Sequence, residues 1–154
     1  MRQKLRSPSW LGWWLALFLP LALAAPCALA GDLKLEALLV WGTNDARSPD
    51  PDHKPVGADL LKKLRSFPLK WTNYFEVNRQ QLAVPSAGAK RTSLSKECEI
   101  LVKNTGSGEL ELVIFGKGQR VGHIKQALPK GELLVTGGNA PNFTAWFVVL
   151  RQVD

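Results

Sequence analysis

From Leu33 onward apolar side chains recur at every second position. Leu33, Leu35, Ala37, Leu39 and Trp41 form one such row, and Phe143, Ala145, Phe147 and Val149 form another near the end of the chain. A period of two is the repeat of a β-strand, whose successive side chains point to opposite faces. In both segments the alternate row is also apolar: Leu38 and Val40 in the first, Trp146, Val148 and Leu150 in the second. A strand that is apolar on both faces must be covered on both. These two segments therefore belong at the centre of a sheet, with further structure packed on either side.

What lies between them supplies the covering layers. Residues 42–57 concentrate Pro, Asp, Ser and Gly without apolar periodicity and read as a loop. Asp59 then stands as an N-cap before Leu60, Leu61, Leu64 and Phe67. That spacing predicts a short amphipathic helix of about three turns, stopped by Pro68. Period two returns from Trp71 to Val84, with Phe75, Val77 and Arg79 expected on one side and Tyr74, Glu76 and Asn78 on the other. Shorter strands follow over 90–94, 98–103, 110–114, 121–127, 132–136 and 143–153, separated by turn-forming clusters at 95–97, 104–108, 116–118, 129–131 and 137–142. The fold class is mainly β: an antiparallel β-sandwich or half-closed barrel, with one short amphipathic helix near the start of the mature chain.

The first thirty residues bear on compartment. Arg2, Lys4 and Arg6 precede a charge-free stretch from Ser7 to Ala30, and small residues stand at Ala28 and Ala30. This is the layout of a secretory signal peptide cleaved after Ala30. The rival is an uncleaved anchor, since 10–30 is long enough to span a bilayer. A lipidated Cys27 is disfavoured by Pro26, which stands where that motif wants a small residue. The reading is residues 1–30 as signal peptide and 31–154 as a single β-rich domain, periplasmic or extracellular. Removing 1–30 takes three of the 20 Lys and Arg and none of the 13 Asp and Glu, so the formal charge falls from +7 to +4. An exported, mildly basic domain meets other envelope or exported proteins and anionic surfaces, not nucleic acid. Membrane contact is expected only through an uncleaved leader or the basic face of the helix, Lys62, Lys63 and Arg65.

Motifs of catalysis are missing from the sequence. No glycine-rich loop precedes a helix, and no nucleophile elbow occurs. Asp45, Asp50, Asp52 and His53 lie in a proline-interrupted loop without the glycine and closing carboxylate of a calcium loop. No metal, cofactor or catalytic residue is expected. Cys98 alternates with Ile100 and Val102 and reads as a small buried hydrophobe; with Cys27 removed it has no internal disulfide partner. Cys98 and His123 are the best candidates if the chain were a small hydrolase.

One surface stands out on geometry. If the strands from Lys90 run up and down, the connections at 95–97, 116–118 and 137–142 share one end of the sheet, and that end collects Lys96, Lys117, Arg120, Asn139 and Asn142. Gly137 and Gly138 are read as supplying the positive φ of a tight reversal.

Leu39-Val40-Trp41-Gly42-Thr43-Asn44-Asp45, the spaced Trp71, Tyr74, Phe75, Val77, Asn78 and Arg79, and Leu134 ahead of Gly137-Gly138 together resemble a group of small exported bacterial proteins of unknown function. The resemblance implies export and a β domain, and carries no activity or site residues. The leading expectation is a non-enzymatic cell-envelope module that binds another protein through that loop end or a strand edge. The alternative is a carrier or sensor of a small apolar or anionic ligand, with Trp41, Trp71 and Trp146 lining a cavity between sheet and helix.

Overall fold

The computed structural model describes residues 31–153; the signal-peptide expectation falls outside them. Strand β1 (Leu33–Thr43) leads through a two-residue strand β2 (Lys54–Pro55) to helix α1 (Ala58–Leu64) and the long strand β3 (Asn73–Val84). Six more strands follow: β4 (Ala89–Ser93), β5 (Cys98–Asn104), β6 (Glu109–Gly116), β7 (Gln119–Ala127), β8 (Leu134–Ala140) and β9 (Thr144–Gln152). They form two antiparallel sheets, a five-stranded one ordered β2-β3-β1-β9-β8 and a four-stranded one ordered β4-β5-β6-β7. The doubly apolar strands β1 and β9 lie side by side within the larger sheet.

Their two faces feed two cores. Leu35, Ala37, Leu39, Val148 and Leu150 meet Ile100, Val102, Leu110, Leu112 and Ile114 of the smaller sheet to fill the sandwich. Leu38, Val40, Ala145, Phe147 and Val149 point the other way, beneath Leu60 and Leu64 of α1. The helix is shorter than expected. It has seven residues, is preceded by Gly57 with no side-chain cap, and has Asp59 in its first turn. Arg65, Ser66 and Phe67 close it with amide bonds back to Leu61, Lys63 and Leu64. The chain thus leaves the helix one turn before Pro68 could end it.

The face assignment along β3 changes midway. Leu39 pairs with Asn78 and Val40 with Glu76, so Val77 is an extra residue in β3, a β-bulge. Beyond it the alternation is shifted by one. Arg79 therefore joins Glu76 on the helix-side face, where it bonds Glu36 at 2.8 Å and Glu76 at 2.5 Å. Arg151 reaches the other Glu36 oxygen at 2.5 Å. Glu36 is a buried carboxylate held between two arginines, the condition under which a buried charge is tolerated.

The up-and-down run is also shorter than expected. It covers β4 to β7 in the smaller sheet; the chain then crosses to the larger one, where β8 pairs with β9. Among the described residues no helix is long and apolar enough to cross a membrane.

Candidate functional site

The glycine pair is not a turn. Gly137 and Gly138 lie inside β8, opposite Phe147 and Trp146, and neither has positive φ. The reversal occurs at 141–143, where Asn142 and Phe143 take the left-handed conformation at φ 59° and 56°. What requires glycine is close approach. A Cβ on Gly137 would sit 2.0 Å from the Trp146 carbonyl oxygen, and one on Gly138 would sit 3.2–3.3 Å from the Trp146 indole. With these amides in a strand, an anion nest of glycine N–H groups is not formed there.

The indole that lies across Gly138 is one wall of a cleft. At the end of the sandwich where β1, β4, β6 and β8 finish, the two sheets part and leave a cleft of about 640 Å³. Trp41 and Trp146, directly opposite each other on β1 and β9, form its floor with Leu39. Cys98 and Ile114 face them from the smaller sheet. Two more valines enter through irregularities of the strands. Val77 is the bulged residue of β3. Val121 is the extra residue of β7, because Ile114 pairs with Gly122 and Phe115 with Arg120. Both line the cleft. Gly116 leaves room for Val121, whose methyls would lie 3.3–3.4 Å from a Cβ there.

The rim is polar. Lys117 and Gly118, both with positive φ, make a two-residue hairpin turn of the type whose twist suits paired strands. The Lys117 amide donates to the Glu97 carbonyl at 2.8 Å, and its ammonium lies 3.9 Å from the Glu97 carboxylate. Asn139, near the end of β8, also borders the opening. His53 completes the lining, its Nδ1 2.7 Å from the Ser48 hydroxyl oxygen. The β8–β9 turn is braced by the Thr144 hydroxyl donating to the Pro141 carbonyl at 2.6 Å and by the Trp71 indole N–H donating to the Phe143 carbonyl at 2.8 Å. The Phe143 ring itself is 95% exposed.

Of the residues expected at this end, the structure brings Lys117 and Asn139 to the cleft. Lys96, Arg120 and Asn142 are exposed nearby and do not line it. Trp71 belongs to the opposite face of the larger sheet, edge-on to Phe147 at 5.4 Å, so the cavity lies between the two sheets and not between sheet and helix. Val77 and Val121 were missed, since a bulge leaves no mark in a pattern of alternation.

Cys98 is the thiol on the wall of the cleft, and His123 is not among the residues that line it. Cys98 is half-buried, and burial pushes its thiol above the ordinary value, away from the thiolate. His123 lies on the outer face of the smaller sheet, its Nε2 2.9 Å from Glu111, while Cys98 faces inward; the two do not meet. Among the described residues no group of three or more His, Cys, Asp or Glu could hold a metal ion. The Trp41 indole N–H is buried and has no acceptor. Comparison with family models, curated proteins and solved structures finds no match.

Proposed function

We propose that this chain is a non-enzymatic binding protein that holds a compact, largely apolar molecule in the cleft between its sheets, acting as a carrier or sensor in the exported compartment its leader implies. The observation that supports this most is the pair of bulges. Each sheet breaks its register once beside the cleft, and each break places a valine on its wall. Bulges recur where a sheet must re-aim a side chain at a site. The volume falls in the range of small-molecule pockets, about 300–1,000 Å³, and apolar walls with a few polar groups at the mouth are their usual make-up. Lys117 and Asn139 then act as the polar side of a ligand cleft rather than a protein-docking face. They favour a ligand with an anionic or carbonyl group at one end.

The test is titration with 1-anilinonaphthalene-8-sulfonate, an aromatic body carrying one anion. At about −0.3 kcal/mol per heavy atom, a probe of about twenty heavy atoms gains about −6 kcal/mol, a Kd in the tens of micromolar. The expected result is saturable one-to-one binding. Lys117→Glu should weaken it about fivefold, the scale of an exposed charge contact, and Val121→Trp, which fills the mouth from an exposed position, should abolish it. Binding that neither substitution alters would refute the assignment of the cleft.

A further inference from the structure

The floor of the cleft carries a polar group that the protein itself does not pair. On the sandwich-facing side of the larger sheet, Trp41 stands between its cross-strand neighbours, Trp146 of β9 and Phe75 of β3. An indole N–H can only donate, and a phenyl ring has no hydrogen-bonding atom. On β1 itself the nearest side chains of that face are Leu39, which is apolar, and Thr43, whose hydroxyl is engaged with Asp45. Trp41 is thus left with a buried N–H and no acceptor, and among the described residues no other buried side-chain nitrogen or oxygen is left so. Native proteins pair nearly all such groups, so a single exception on the floor of a cleft calls for a physical reason.

A buried donor without a partner discriminates between ligands. One that brings an acceptor makes the bond; one that lacks it leaves the donor stranded and is rejected. The cleft side chains of Leu39, Val77, Cys98, Ile114 and Val121 contain no oxygen that could compete. The Trp41 ring is half-buried and borders the cleft, while its nitrogen is covered. A tilt of the indole into the open space brings the N–H to a seated ligand.

We propose, on the reading that the cleft holds a ligand, that Trp41 decides which ligand: one whose inserted part carries an acceptor oxygen, as a ring ketone or quinone does, and not a plain hydrocarbon. Lys117 and Asn139 meet the polar end at the mouth, and the Trp41 N–H donates to the oxygen inside. A fatty acid, polar at one end alone, leaves this donor unpaired and is a poor occupant. Trp41 is in this role a specificity-determining residue, separate from the charge at the rim.

Two probes of nearly the same shape isolate the donor from the rest of the cleft. Anthraquinone-2-sulfonate and anthracene-2-sulfonate share a flat fused-ring body and an anion, and only the first has ring carbonyls. Isothermal calorimetry should show the quinone bound more tightly, although the hydrocarbon is the more apolar. Trp41→Phe should lower that preference about tenfold, the scale of one buried hydrogen bond. Any change of cleft shape in the variant acts on both probes, so their ratio reports the N–H. The unaltered protein supplies a second readout: in a nitrogen-edited proton spectrum the Trp41 indole signal should move downfield with the quinone and not with the hydrocarbon. A preference that Trp41→Phe leaves unchanged, or an indole signal that responds alike to both probes, would overturn the role of Trp41 and leave the cleft a ligand site. Binding of neither probe would overturn both.

Discussion

Gly137 and Gly138 show how one residue type serves two needs within two positions. At Gly137 the obstacle is backbone, which cannot step aside; at Gly138 it is an indole ring, which can tilt. Gly137→Ala should therefore cost several kcal/mol or prevent folding, whereas Gly138→Ala should cost about 1–2 kcal/mol, the range of a forced repacking. Urea denaturation measures both, and a changed tryptophan emission should accompany Gly138→Ala because Trp146 has to move. Glycine was legible here as a constraint, but its kind was not. The sequence offers the same letters for a positive φ and for a crowded strand, and the reversal was instead given to Asn142 and Phe143, the second a residue that composition would not choose for a left-handed backbone.

At the scale of elements, the strands and their order of use were largely readable because alternation records burial directly. β1 and β9 are central, β5 and β6 face the sandwich with Ile100, Val102, Leu112 and Ile114, and α1 covers the second face of β1 and β9. Bulges were not readable, and they decide which face Arg79 takes. That shift creates an acid-sensitive element. Hydrogen bonds from Arg79 hold the Glu76 carboxyl below the ordinary carboxylate range. A group whose folded value is depressed contributes stability that is present above its unfolded value, about 4.3, and is lost as pH falls through the folded value. The urea midpoint of the wild type should therefore fall between pH 5 and pH 3 more steeply than that of Glu76→Gln. Equal slopes would show that the pairing with Arg79 adds nothing to the folded state.

At the scale of the whole molecule, the two sheets part at one end of the sandwich and leave a cleft of about 640 Å³ between them. Counting strand directions along the sequence was enough to place the connections at 95–97 and 116–118 at that end, together with Asn139. It could not show that the sheets part there, because that depends on which strands share a sheet and on where their registers break. The central claim is that this opening holds a ligand, and Cys98 reports on it from the wall. Its thiol is half-buried with a raised pKa, so labelling by a maleimide should be slow at neutral pH and faster as pH rises. The most direct measurement is the labelling rate of Cys98 with and without saturating 1-anilinonaphthalene-8-sulfonate. The account predicts strong protection that Val121→Trp, unable to bind the probe, does not gain from it. A rate unchanged by bound probe would contradict the account and place the probe elsewhere.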